Sequence, residues 1–460
     1  MRAPFPIVER TSRLPHPADA VWRWHERPGA FERLAPPWER VEVLERTGGL
    51  ENGGRAVLRV HMGPLALRWV AVHRDYQAGR QFVDEQVQGP FTHWVHTHRI
   101  EPDGADACFL TERVEYGTPY GWAGAAADVW LVRRKVRRML DYRHALLRDD
   151  LAAHGRATLP PLHVAITGAT GVIGRALAAF LTTGGHRVTR VVRGRPAPGD
   201  VAWDPAAGTI DAAGLEGVDA VVHLAGENVG AGRWTPERKR RIQASRAEGT
   251  ALLARTLASL SRRPSVLVSA SAVGVYGNRG DAPIPDGAPP GPAGDFLVQV
   301  AHAWEDATAA ARDAGIRVAL PRFGVVLTPA GGALAKLLPL FRAGLGGPVG
   351  GGRQWMSWIA IDDAIGLIHH AIASEALAGP FNAVAPAPVT NAEFTATLGR
   401  VLGRPAVLPA PAPALRLVFG EMAEGTLLSS QRALPERALA SGYAYRHASL
   451  EGALRFGLGR

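Results

Sequence analysis

The residues whose types and spacing bear most directly on chemistry lie in Val164-Ala-Ile-Thr-Gly168-Ala-Thr-Gly171-Val-Ile-Gly174, with Arg193 following farther along. An apolar run, Leu162 to Ile166, reads as a buried parallel strand. Gly168 then allows a tight turn, Gly171 lets backbone approach a pyrophosphate, and Gly174 lets the next helix pack closely on the strand. Thr170, Val172 and Ile173 complete that turn, and a helix beginning near Val172 aims its unpaired N–H groups at phosphate oxygens. A second strand, Arg187 to Val192, ends just before the place where an acid would bind the ribose hydroxyls of NAD. Arg193-Gly194-Arg195 stands there instead. A cation at that point suits a 2′-phosphate, so NADP(H) is favoured over NAD(H). A glycine turn serving no cofactor is the plainer alternative, and the strand and helix on either side disfavour it.

At 460 residues the chain is long for one hydrophobic core, and two or three domains are expected. Residues 1–153 show no nucleotide fingerprint. They read as strands, Arg55–His61, Leu65–His73 and Phe91–Ile100 among them, closed by a long amphipathic helix. Val129, Val132, Val136, Met139, Leu140, Leu147 and Leu151 form its apolar stripe, and Arg133, Arg134, Arg137 and Arg138 face outward. After a short proline-containing linker, residues 162–400 alternate strand and helix, the pattern of a doubly wound parallel sheet. Strands are expected at Ala220–Leu224, Ser265–Ser269 and Val318–Pro321. Residues 401–460 are mostly helical and rich in small side chains. The fold class is therefore α/β, a Rossmann-type sheet with a small C-terminal domain, preceded by an α+β domain.

The net charge of +10 falls mainly in the second part, with 22 basic against 20 acidic residues up to residue 153 and 30 against 22 after it. A basic second part fits an anionic dinucleotide. The basic residues are scattered and form no nucleic-acid signature, so no nucleic-acid partner is expected. No run reaches the length of a membrane span. Cys108 is the single cysteine, which excludes an internal disulfide. A cytoplasmic location follows as the default.

With these residues in view, the second part resembles the extended short-chain dehydrogenase/reductase superfamily, in its atypical epimerase-like branch. The likeness rests on Thr167-Gly168-Ala-Thr-Gly171-Val-Ile-Gly174, Val222-His-Leu-Ala-Gly226-Glu-Asn228, Ser269-Ala-Ser271-Ala-Val-Gly-Val-Tyr276-Gly277, Arg322-Phe-Gly-Val-Val-Leu327 and Trp358-Ile-Ala-Ile-Asp362-Asp363. From Gly379-Pro-Phe-Asn382 onward it looks like that branch's short C-terminal domain of unknown function. The first region resembles the START-like helix-grip fold (SRPBCC), in which a curved sheet wraps a long helix around a cavity for apolar ligands. Tyr76-Gln-Ala-Gly-Arg80-Gln-Phe82 and Gly89-Pro-Phe-Thr-His-Trp-Val-His96-Thr-His98 carry that likeness.

The resemblance implies a serine that orients the substrate oxygen and a Tyr-x-x-x-Lys pair that moves the proton. This chain has no such pair. Its lysines are Lys135, Lys239 and Lys336, and the positions four residues earlier hold Leu131, Thr235 and Gly332. Where the motif belongs, Phe296 and Val300 stand. Ser271 fits the orienting serine, with Ser269 as the other choice, and Tyr276 is the remaining phenol near the strand end. His302 should point away from the site. On the cofactor side the resemblance implies Leu224, Ala225 and Gly226 against the ribose, Arg246 as a further cation, and Arg322 bordering the nicotinamide.

In the first region His96 and His98 share one strand face with Trp94. Two histidines at that spacing begin a metal site only with a third ligand. The sequence places none, so no metal is expected and a polar spot in a cavity wall is the reading. Together these features imply an NADP(H)-dependent oxidoreductase or epimerase-like enzyme acting on a small molecule, with an apolar ligand in the first domain. The alternative is a non-catalytic NADP(H)-binding redox sensor or a ligand carrier.

Overall fold

The computed structural model describes residues 5–63, 65–119 and 131–460. They gather into two compact units, one formed essentially by residues up to Arg156 and the other by those from Ala157 onward.

The first unit is an antiparallel sheet of β1 (Ile7–Leu14), β2 (Val41–Thr47), β3 (Arg55–Met62), β4 (Leu65–Gln77), β5 (Gln81–Gln88), β6 (His93–Pro102) and β7 (Cys108–Gly117). The spatial order is β1-β7-β6-β5-β4-β3-β2. Helices Ala18–Glu26 and Ala30–Leu34 carry the chain from one edge strand to the other. The long helix, Arg133–Ala157, lays its apolar stripe on this sheet. Val136 and Leu140 pack with Val8, Val114 and Tyr116, while Leu147 and Leu151 pack with Leu14, Trp24, Ile100 and Leu110. Each such buried side chain contributes roughly 1.5–3 kcal/mol of transfer free energy. Arg134 and Arg137 are exposed and Arg133 and Arg138 half-buried; Val129 lies outside the described residues.

The second unit is built on a mostly parallel sheet. Its centre is β8 (His163–Thr167), flanked by β9 (Arg187–Val192) on one side and β12 (Ala220–His223) on the other. β10 (Val201–Asp204) and β11 (Thr209–Ile210) continue beyond β9. Beyond β12 come β13 (Val266–Ser269), the strand Arg317–Phe323, and that strand's partners β14 (Ser271–Ala272) and Gly379–Ala383. The chain leaves β8 toward one side and later returns to build the other. That places the topological switch point between β8 and β12, where crevices open beyond the carboxyl ends of strands. β12 and β13 are buried throughout, as apolar runs covered on both faces require.

The expected helix after the glycine turn spans Val172–Thr183. In the last sixty residues the helices Ala412–Phe419, Glu436–Ala440 and Leu450–Leu458 are joined by a short strand, Arg432–Ala433, that pairs with Pro283–Ile284. Leu450, Leu454 and Leu458 belong to a core cluster with Phe394 and Leu398.

Candidate functional site

Gly168 follows β8 with φ +68°, and a Cβ there would come within 2.8–2.9 Å of the Leu224 and Ala225 backbone. The turn therefore runs directly against the end of β12. A Cβ on Gly174 would sit 2.2 Å from the Gly168 carbonyl oxygen, so only glycine lets the helix start this close. The Gly171 N–H donates to that same carbonyl at 2.9 Å. Thr170 and Gly171 are exposed, and Val172 and Ile173 half-buried at the first positions of a twelve-residue helix. Such a terminus concentrates free N–H groups and positive potential.

A hydrogen-bonded row beneath the turn holds it, and sequence reasoning did not single it out. Thr167 Oγ1 accepts from the Leu224 and Ala225 N–H groups at 3.1 and 3.3 Å and lies 2.7 Å from His223 Nδ1. The hydroxyl's own proton thus goes to Nδ1, and the imidazole's proton sits on Nε2, 2.9 Å from Thr250 Oγ1. Burial, with Arg246 adding to it, lowers the His223 pKa to about 4. β12 ends at His223, one residue earlier than expected, leaving Leu224 and Ala225 half-buried and Gly226 exposed just past it.

Two cations face this region. Arg193 lies two residues beyond Val191, the register partner of Thr167, and it is exposed with no partner among the described residues. Arg246 is enclosed. Its Nη1 donates to the carbonyls of Glu227 and Ile242 at 3.0 and 3.3 Å, and its guanidinium lies 4.8 Å from the Trp304 ring centre, beside Gly226. Burial pulls its pKa down to about 10, with Glu227 opposing weakly. A desolvated guanidinium held by carbonyls, with no carboxylate in contact among the described residues, is a ready partner for an anion.

On the reaction side the structure joins residues that the sequence left separate. Ser271 is buried at the start of β14, and its hydroxyl donates to Glu305 Oε1 at 2.6 Å. Arg322 Nε and Nη2 donate to the two oxygens of Glu305, both at 2.8 Å. Arg322 Nη1 donates to the Tyr276 hydroxyl at 2.9 Å, and that hydroxyl donates to Asn382 Oδ1 at 2.8 Å. Burial opposes the charge on Arg322, but Glu305 and Tyr276 outweigh it and its pKa rises.

This geometry bears on two of the residues named from sequence. Arg322 spends three of its five N–H groups on Glu305 and Tyr276. Tyr276 is fully buried, its phenol pKa is pushed up by burial against the pull of Arg322, and its hydroxyl is satisfied on both sides. A proton-moving tyrosine needs the opposite shift and a hydroxyl not already committed on both sides. Ser269 is buried at the end of β13, and its hydroxyl has no hydrogen-bond partner among the described residues. Phe296 and Val300, at the places of the absent pair, belong to an apolar cluster with Trp234, Ile242 and Met422. His302 is exposed. Glu305 sits on that same helix, Phe296–Asp306, and no motif flags it.

The first unit holds a second polar centre. Asp84 on β5 is the register partner of His96 on β6, and His98 is the register partner of Glu112 on β7, so the four side chains share one sheet face. His98 Nε2 lies 3.1 Å from Asp84 Oδ2, and His98 Nδ1 and His96 Nε2 lie 3.0 and 3.3 Å from Glu112 Oε1. From the long helix, Arg143 Nη1 reaches the same Glu112 oxygen at 3.1 Å and His144 Nε2 reaches Oε2 at 3.3 Å. His73 Nε2 holds Asp84 Oδ1 at 2.8 Å. Burial alone would raise both carboxyl pKa values, but their cationic and imidazole partners hold them well below the usual range. Sequence reading found the two histidines and missed the carboxylates, whose strands are joined to β6 only by sheet pairing.

Comparison with known proteins accords with both units. Residues 164–383 match the NAD dependent epimerase/dehydratase family, residues 410–456 a domain of unknown function (DUF1731), and residues 14–143 the polyketide cyclase / dehydrase and lipid transport family. Epimerase family protein Mb2239 of Mycobacterium bovis is 43% identical over 294 residues, 64% of this chain and 96% of that protein. The crystal structure of the nucleoside-diphosphate sugar epimerase from Corynebacterium glutamicum matches at 34% identity and TM-score 0.81, covering 98% of this chain and 90% of that one. The human epimerase family protein SDR39U1, solved with NADPH, matches at 38% identity and TM-score 0.59 over 65% of this chain and 99% of its own. This chain, a Rossmann-type unit with the DUF1731 segment behind it and a polyketide-cyclase-like unit ahead of it, belongs to the epimerase family of SDR39U1-like proteins.

Proposed function

We propose that the second unit binds NADP(H) and transfers hydride to or from a carbon bearing an oxygen in a small-molecule substrate. The observation that carries this reading is the glycine turn at the switch point with two cations, Arg193 and Arg246, that have no carboxylate in contact among the described residues. The NADPH found with the human relative supports it. When bound, the cofactor supplies or accepts the hydride. The helix Val172–Thr183 takes the pyrophosphate at its N-terminus, Arg193 takes the 2′-phosphate, and Leu224 to Gly226 lie against the ribose. Ser271 replaces the missing pair in part. Its hydroxyl accepts the proton of a substrate alcohol as its own proton passes to Glu305, and the reverse transfer serves a carbonyl. The first unit holds an apolar ligand, and the protein works in the cytoplasm.

Calorimetric titration of the full chain with NADPH and NADH, repeated with Arg193→Ala, tests the reading. Selective NADPH binding that weakens by about 1–3 kcal/mol in the variant, the scale of a charge-assisted hydrogen bond, is the expected result. Absence of binding by either nucleotide refutes it.

The closed bonding of Tyr276 and the apolar packing of Phe296 favour a second reading, a cofactor-binding sensor without turnover. It requires NADPH and NADP⁺ to bind with different affinity or to stabilise different conformations. Equal affinity and identical behaviour for the two forms exclude it.

A further inference from the structure

We propose that Asp84, His96 and His98 form a site for a first-row divalent transition metal, of the zinc or iron type, on the helix-facing side of the first unit's sheet. The three side chains offer one ligand atom each within 4.8 Å of one another. Asp84 Oδ2 lies 3.1 Å from His98 Nε2 and 3.9 Å from His96 Nδ1. Ligands at about 2.0–2.1 Å around a tetrahedral ion are separated by roughly 3.3 Å, so small side-chain movements accommodate one. Two imidazoles and one carboxylate form a donor set used for zinc and for non-haem iron.

The surroundings match what such ligands need. Metal-bound histidines hold their outer ring nitrogen on a carboxylate, and here both outer nitrogens, His98 Nδ1 and His96 Nε2, converge on one oxygen of the fully buried Glu112. Neither contact has hydrogen-bond geometry, and both nitrogens lack a hydrogen-bond partner. Rotation of the two rings onto an ion at Asp84 lets them align with Glu112. His73 fixes the second oxygen of Asp84 and leaves Oδ2 to the ion. Phe82 stacks on His98 with ring centres 4.1 Å apart and covers one face of that ring.

Charge points the same way. Asp84 and Glu112 bring two negative charges to the cluster, and Arg143, which touches Glu112, is the one permanent cation in contact with either among the described residues. Arg143 Nη1 also lies 3.5 Å from His96 Nδ1, a contact that an ion would displace, leaving the guanidinium on Glu112 at 3.1 Å. The Asp84 side chain is 27% exposed while His96 and His98 are buried. An ion would therefore have protein behind it and an open position beside Asp84, available to water or to an oxygen of a bound ligand.

The full chain, stripped with EDTA, is titrated with Zn²⁺ by calorimetry and with Co²⁺ by visible absorption. One ion per chain is expected, with cobalt giving the intense bands of a low-coordinate nitrogen–oxygen site. Asp84→Asn and His98→Ala should abolish saturable binding, and Glu112→Gln should weaken it about tenfold to a hundredfold. Where His98→Ala fails to fold, Asp84→Asn carries the test, with circular dichroism as the check on folding. No saturable binding in the parent chain overturns the proposal, because the cluster is then a proton-bridged ion-pair network. Binding that survives both ligand substitutions also overturns it, because the ion then sits elsewhere.

Discussion

Ser271 donates its hydroxyl proton to Glu305 at 2.6 Å, and the same carboxylate receives two donors from Arg322. The oxygen of Ser271 is thereby left as an acceptor. Under the proposed function a substrate hydroxyl would satisfy it directly, whereas a carbonyl would require the serine proton to leave Glu305 first. Removing the carboxylate charge strips Arg322 of its counter-ion in a buried setting. Glu305→Gln should lower stability by about 3–5 kcal/mol, the cost of breaking a buried pair from one side, read from denaturant midpoints. A loss below about 1 kcal/mol, the scale of a surface pair, would mean that the pair does not hold this corner.

The Tyr276 hydroxyl bridges Arg322 and Asn382 inside the protein. Tyr276→Phe leaves both groups short of a partner, at about 1–3 kcal/mol, while cofactor affinity and kcat stay near the parent values. Ser271→Ala should do the reverse, with kcat falling and stability little changed. A collapse of kcat in Tyr276→Phe at preserved KM would return the proton transfer to the tyrosine.

Arg246 is a desolvated cation without a contacting carboxylate among the described residues. Arg246→Met should leave the thermal midpoint of the free chain unchanged or raise it, since the burial penalty disappears. The midpoint gain on adding NADPH should shrink. Loss of stability with an undiminished NADPH response would make this arginine purely structural.

His223 supplies a pH signature. Its pKa is lowered to about 4 in the fold, against 6.5 in an open chain. Between those values the unfolded chain binds the extra proton, so stability rises with pH across that window. This site contributes fully above about pH 6.5, and its contribution is lost as pH falls toward 4, by roughly 3 kcal/mol in all. His223→Asn should therefore lose less stability than the parent between pH 7 and pH 5. Parallel losses would show that His223 does not titrate this way.

The Gly174 site has no room for a side chain. Gly174→Ala should cost about 1–3 kcal/mol, as overpacking does, and weaken NADPH binding by displacing the helix start. Unchanged affinity would separate the glycine's packing role from the phosphate site.

The glycine turn, the strands beside it and the helix after it were legible because each is local. An apolar run, a glycine spacing and a helical period lie within about thirty residues. The stripe of the long helix was legible for the same reason, from Val136 to Leu151. Other features had no such signal. Glu305 meets Ser271 across 34 residues and Asn382 meets Tyr276 across 106. Asp363 lies in the first turn of the helix Ile361–Ala373, yet its carboxylate accepts N–H groups from Arg446 and His447, pinning the C-terminal segment.

The sequence by itself determined the class of each unit, the place of the dinucleotide turn, the cation at Arg193 and the lack of a Tyr-x-x-x-Lys pair. These follow from residue type and short-range period, which limit backbone conformation directly. The tertiary structure alone decided which polar groups meet. It brought Glu305, Arg322, Tyr276 and Asn382 into one chain of hydrogen bonds, and it set Asp84 and Glu112 beside His96 and His98. Buried polar groups must find partners, but a sequence shows only that need. Strand register and helix docking choose which partner answers it.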